Sequence, residues 1–213
     1  MNRKICLFLF IVILGANNAS AQEAAYTPMG SVFDNFFTFA WDVNIPMGDK
    51  YVDATSYAGG KLEYRKMIND NNLSVGFDVS WNSYYEYKSY QTYEYNSTTD
   101  VTTDLYKYNY TLPLALTLHK YFPGNSAFLP YIGLGLGATY SRPSLFFNIY
   151  EIYEDNWGFL ARPELGTIIK FDKGADVGVL LGVRYSYSTN KEEGFKIENL
   201  QALGFQLGVV WMY

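Results

Sequence analysis

His119 is the one histidine in the chain, and so the one side chain whose ordinary pKa suits general-base work near neutral pH. A catalytic histidine needs a nucleophile and an orienting acid within hydrogen-bond reach. Here Lys120 and Tyr121 follow it, a turn-forming segment begins at 122, and a serine partner at short spacing is absent. The expectation is a hydrogen-bonding histidine beside a turn, and no catalytic residues. The one cysteine, Cys6, lies in an apolar N-terminal run, which excludes a Cys/His metal site and a disulfide framework. Glu151, Glu154, Asp155, Glu192 and Glu193 could hold divalent cations, but their spacing is not that of a calcium loop. Solvated loop charges are expected there, with no metal and no cofactor. What remains is a set of charges embedded in apolar surroundings: Glu63 and Arg65, Asp78, Arg162 and Glu164, and Arg184. On extended backbone, residues two apart share a face. These six could therefore form an ionic network if strands carried them to one interior.

The sequence supplies such strands. Phe37, Phe39, Trp41, Val43 and Ile45 alternate with Thr38, Ala40, Asp42 and Asn44, the period-2 mark of a strand with one apolar and one polar face. Leu73, Val75, Phe77, Val79 and Trp81 repeat the pattern against Ser74, Gly76, Asp78, Ser80 and Asn82. It returns in Tyr106–Leu118, in 128–140, where Gly133, Gly135 and Gly137 take the second face, and in 159–171, 177–187 and 203–213. The weakest run is 58–68, with Leu62 and Tyr64 set against Lys61, Glu63 and Arg65. The count is about eight strands, an even number at the small end of the range for membrane barrels.

The connections sort themselves. Turn-like segments at 69–72, 123–126 and 172–176 alternate strictly with longer polar ones at roughly 46–56, 83–104, 142–156 and 188–198. That is the layout of an outer-membrane barrel, with short periplasmic turns and longer extracellular loops. The faces agree. A soluble barrel puts apolar residues inside, whereas here the face opposite the unbroken Val/Leu/Phe set carries Lys61, Glu63, Arg65, Asp78, Arg162, Glu164, Lys170 and Arg184. A polar lumen and a lipid-facing exterior fit that division. Trp41, Trp81, Tyr110, Tyr121, Tyr140, Trp157 and Trp211 fall near strand ends, as expected of interfacial aromatic girdles.

Near the beginning of the chain Asn2, Arg3 and Lys4 form a short basic stretch, followed by an apolar run from Ile5 to Ala16 and the small residues Ala19-Ser20-Ala21. That run is too short to span a bilayer as a helix. The pattern predicts a cleaved signal peptide over 1–21 and a barrel domain over 22–213. Charged residues are 17% of the chain, against roughly a quarter in ordinary soluble domains. Aromatics are 19%, which argues against disorder. A formal net charge of −5 leaves no basic face for nucleic acid.

Phe128-Leu129-Pro130-Tyr131-Ile132-Gly133-Leu134-Gly135-Leu136-Gly137 resembles the "PYxGxGxG" strand of small barrels of the OmpA/OmpX type. Asn71-Asn72-Leu73-Ser74-Val75-Gly76 is similar to the turn-to-strand signature of the same superfamily. The final run, with Phe205, Trp211 and Tyr213, resembles the terminal strand that the barrel-assembly machinery recognises. Over residues 30–213 the chain resembles the "outer membrane protein beta-barrel domain" family, common in Bacteroidetes. The resemblance implies an all-β antiparallel transmembrane barrel in the outer membrane of a Gram-negative cell, in contact with lipid and lipopolysaccharide. It implies no particular activity.

Two features go further. Tyr84, Tyr85, Tyr87, Tyr90, Tyr93, Tyr95 and Tyr106 continue strand-like alternation well past the 9–11 residues that one crossing needs. The hairpin is expected to project as a two-stranded ribbon whose rings suit contact with protein or sugar. In the lumen, a tight 69–72 turn sets Glu63 opposite Asp78, with Arg65 near, and the 172–176 turn sets Glu164 opposite Arg184, with Arg162 one step away. Arg162 or Arg184 is expected to reach across to the two facing carboxylates and plug the lumen. The functional expectation is a plugged barrel displaying its hairpin for structural, adhesive or partner-binding roles. The alternatives are a narrow channel for ions or small solutes, or a barrel subunit of a secretion apparatus. No enzymatic activity is expected.

Overall fold

The alternating runs become nine strands in the computed structural model, which describes residues 33–48, 51–68, 72–96, 99–122, 127–147, 150–171 and 175–213. They are β1 (Asn35–Met47), β2 (Gly60–Ile68), β3 (Leu73–Asn96), β4 (Thr99–Tyr121), β5 (Phe128–Phe147), β6 (Tyr150–Tyr153), β7 (Asn156–Lys170), β8 (Val177–Ser188) and β9 (Leu200–Met212). The signal-peptide segment and most of the expected turn residues lie outside the described set.

Eight of the strands close a ring. Each pairs antiparallel with its neighbours in the order β1-β2-β3-β4-β5-β7-β8-β9, and β9 returns to β1 from Phe36↔Met212 to Met47↔Gln201. Closure matters because an open edge in lipid leaves backbone N–H and C=O groups without partners, at several kcal/mol each. Outside, Phe39, Phe77, Leu116, Leu134, Leu165 and Leu207 are all exposed large apolar residues, the reverse of a soluble protein and the surface that acyl chains require. No described helix is long and apolar enough to cross a membrane. A ring so closed is expected to resist detergent until boiled, so unboiled and boiled samples should migrate differently in denaturing gels. Identical migration, with the protein fractionating among soluble contents, would contradict the barrel.

The two rims differ. At one, β2 ends at Ile68 and β3 starts at Leu73, and the N and O of Asn35 bond to the O and N of Tyr213 at 2.8 and 3.0 Å. At the other, β3 pairs with β2 only as far as Trp81↔Gly60 but stays paired with β4 out to Asn96↔Thr99. Residues 82–96 thus rise as a ribbon with β4, tens of ångströms long at about 3.4 Å per residue. The 142–156 segment, expected as a loop, is largely strand: β5 runs on to Phe147, pairs with β4 as far as Tyr106↔Phe146, and folds back through β6. The register with β4 runs unbroken from Tyr121↔Tyr131 to Tyr106↔Phe146 and gives β4 a partner above the rim. The outer extension is therefore a four-stranded sheet, β3-β4-β5-β6, rather than a bare hairpin.

Candidate functional site

Strand parity sorts the interior into layers. Near the short-turn rim the inward positions are apolar or aromatic: Phe33, Phe36, Tyr121, Leu129, Tyr131, Ile168, Leu180 and Met212 are all buried together. Phe36 stacks on Tyr121 with centroids 5.4 Å apart. Tyr121, expected in the interfacial girdle, is 1% exposed and faces inward. Leu118 faces out, so position 121 must face in, and proximity to a strand end does not override that parity.

Arg65 roofs this aromatic layer. Its Cζ stands 5.5–5.9 Å from the ring centroids of Phe36, Tyr121 and Tyr131, an arrangement that lets a guanidinium stay charged against aromatic faces. Its Nη1 donates to the Tyr121 hydroxyl and its Nη2 to Thr38 Oγ1, each at 2.8 Å.

The middle layer centres on Lys61. Register places Glu63 directly opposite Asp78, and two facing carboxylates repel unless a cation stands between. That cation is Lys61: its Nζ lies 2.9 Å from Glu63 Oε2, 3.5 Å from Asp78 Oδ2 and 2.9 Å from Glu164 Oε2. Both arginines reach across to Asp78. Arg162 Nη1 donates to Asp78 Oδ1 at 3.0 Å, and Arg184 Nη1 lies 3.7 Å from Asp78 Oδ2. Glu63 is met instead by Lys61 and by Arg65, whose Nε stands at 3.5 Å. Glu164 is level with Arg184 along the strands, yet its oxygens go to Lys61 and to the Tyr131 hydroxyl, which donates at 2.5 Å. Arg184 bonds Asp42 on β1, a residue that sequence reasoning placed on the polar face but gave no role.

His119, two residues from the end of β4, also faces this layer. It is 1% exposed, with Nδ1 3.7 Å from Glu63 Oε1 and Nε2 3.9 Å from Glu164 Oε1. Gly133, its cross-strand partner, makes the space: a Cβ there would lie 2.4 Å from the imidazole Cδ2. Gly76 does the same for Arg65, whose Cγ would be 2.7 Å from an added Cβ. The small residues of the second face are thus set against the largest charged ones. Four acids (Asp42, Glu63, Asp78, Glu164) meet four bases (Lys61, Arg65, Arg162, Arg184), none more than 8% exposed.

The ribbon is a second site. Tyr85, Tyr87, Tyr106, Tyr108 and Tyr110 share its outer face, with Tyr85–Tyr108 and Tyr87–Tyr106 centroids at 4.9 and 5.0 Å. Phe146 of β5 meets Tyr108 edge-on at 5.5 Å. Tyr90, next to a register shift between Lys88 and Gln91, is 72% exposed. Tyr84 departs from expectation: three residues from outward Trp81, it points inward and is 8% exposed. The side chains of Tyr93 and Tyr95 lie outside the described set. Of the loop acids, Glu151 and Asp155 each lie 3.9 Å from Arg142, and Asp155 accepts from Tyr140 at 2.5 Å. Among the described residues no group of acids, histidines or cysteines is arranged to hold a metal.

The sequence matches the outer membrane protein beta-barrel domain family over residues 6–212. Among solved structures, Neisserial surface protein A is similar at 15% identity, with 85% of this chain and 97% of that chain covered and a TM-score of 0.53. Ail, the attachment invasion locus protein of Yersinia pestis, aligns at 16% identity over 84% of this chain and 97% of its own, with a TM-score of 0.47. OprG of Pseudomonas aeruginosa aligns at 15% identity over 85% of this chain and 96% of its own, with a TM-score of 0.44. At such identities the likeness to Neisserial surface protein A speaks to fold alone. No curated protein matches the chain in sequence.

Proposed function

We propose, for a chain that belongs to the outer membrane protein beta-barrel domain family and resides in the bacterial outer membrane, a role of display rather than passage. The lumen is plugged, and the working surface is the ribbon and its neighbouring loops, held outside the cell by a rigid barrel. The observation that carries this reading is the charge-matched middle layer. Eight ionic side chains from five strands bond across the lumen and stand on an aromatic plug. An eight-stranded barrel is only just wide enough for side chains to fill, and the inward side chains here are long. The Tyr face offers flat apolar rings with polar tips, suited to an extracellular protein or glycan. The barrel wall contacts lipid, with lipopolysaccharide at the outer rim. Phe205, Trp211 and Tyr213, all facing outward, serve recognition by the barrel-assembly machinery after removal of residues 1–21.

The test of plugging is electrical. Purified wild-type protein in planar bilayers is expected to give no steady single-channel current. Stable conductance steps would overturn this reading and favour a narrow channel.

A further inference from the structure

Above Arg162 and Arg184 the lumen opens into a cup lined by residues that include Asn44, Val52, Thr111, Ser186 and Ala202. The β1–β2 connection folds over its mouth, with the Tyr51 hydroxyl donating to Ser144 O at 2.9 Å. Burial, then the charge of Glu86, holds that phenol above its ordinary pKa and so protonated. Asn82, Tyr84, Asn109 and Thr139 give the cup polar walls, and Leu160 and Leu200 give it an apolar side.

Arg162 is the one charged residue among those lining the cup. Its Nη1 is committed to Asp78 and Ser80 and its Nε to Ser186. Its Nη2 has no partner among the described residues, although the side chain is 2% exposed. Thr139 Oγ1, also buried, is likewise unpartnered. The carboxylate that Arg162 does contact, Asp78, is shared with Arg184 and Lys61, so its charge is divided three ways. Asp42 is not among the residues lining the cup and is engaged by Arg184. A cup with one buried cation, a spare N–H on it, neutral polar walls and an apolar side matches a particular ligand chemistry.

We propose that this cup binds a small organic monocarboxylate, with Arg162 Nη2 donating to the carboxylate and the apolar side holding the body. The binding goes beyond display and does not depend on it: a steady current in bilayers would end the plugged reading without touching this one. A charge-assisted hydrogen bond from a buried guanidinium favours an acid over its neutral amide.

The experiment is a titration of isotope-labelled, detergent-folded full-length barrel with acetate, benzoate and hexanoate, and with benzamide as the neutral counterpart of benzoate. Amide resonances of Asn109, Thr139 and Ser186 are expected to shift saturably with at least one acid, at a Kd of about 1 mM or tighter. If benzoate is among the acids bound, benzamide should bind about ten-fold more weakly or worse. Ala202→Phe fills the cup while leaving every charge in place, and should abolish the shifts. Ser188→Leu serves the same purpose if A202F fails to fold. The proposal is overturned if no acid saturates, if benzoate and benzamide bind alike, or if the filled variant binds as the parent does.

Discussion

Replacing Lys61 with methionine is expected to cost the barrel about 3–5 kcal/mol, the usual penalty for removing one partner of a buried ionic set. Lys61 is wholly buried, and its ammonium contacts Glu63, Asp78 and Glu164 together. Methionine keeps most of the volume and none of the charge. Glu63 would keep Arg65 at 3.5 Å, and Glu164 would keep the Tyr131 hydroxyl. The layer would nonetheless hold four carboxylates against three cations in a space water does not reach. Urea unfolding of the folded barrel in detergent measures the loss. Pairing Lys61→Met with Glu164→Gln should recover a large part of it, as expected for residues in contact. Glu63→Ala is expected to lower stability for the same reason. A Lys61→Met barrel as stable as its parent would mean the layer is hydrated, and the plugged lumen would go with it.

The second large effect concerns the ribbon. Proteinase K applied to intact cells should cut within about 86–104, the outermost part of the hairpin, because exposed tips are the preferred sites of nicking. The opposite rim, with the connections after Ile68 and before Val177, should be spared. Both the β3–β4 ribbon and the β5–β6 fold-back rise from one end of the barrel, so accessibility at that end and protection at the other form one prediction. Cutting at the short connections with the ribbon intact would invert the topology and end the display reading. Serine at Tyr85, Tyr87 and Tyr106 would then separate the face from the scaffold, since these rings lie outside the barrel's buried layers.

The barrel was legible because period-2 alternation is a local property, and so is the sorting of short and long connections. Glu63 opposite Asp78 and Glu164 opposite Arg184 followed from two hairpin registers alone. Across the lumen Arg162 meets Asp78, but the contacts of Lys61 with Glu164 and of Arg184 with Asp42 were not legible. Which residues stand level on opposite walls depends on strand tilt and shear, and alternation carries no trace of either. Lys61 was visible as an inward charge, but nothing local said that it stands among three carboxylates. Tyr84, Tyr121 and His119 were different, because parity counted from Trp81 and Leu118 already turned them inward. Position near a turn or within a Tyr-rich run was given more weight than that count. The bulge after Lys88 is the reverse case, a break in parity that the sequence does not announce.

The partners in the middle layer are far apart along the chain: Lys61 and Glu164 by 103 residues, Arg162 and Asp78 by 84, Arg184 and Asp42 by 142. Asp42 rides on β1 and Arg184 on β8, and they meet through the seam where β9 closes against β1. A sheet with that seam open would carry the two charges apart, along with a row of unpaired backbone groups, into a medium that solvates neither. Each further partial closure would leave some other member of the set without its counterpart. Half-assembled states are therefore penalised twice, once by the backbone and once by the interior, and both penalties vanish in the same event. The ionic layer acts as a latch on assembly: it holds only when the last seam zips, and it discourages the barrel from standing ajar afterwards.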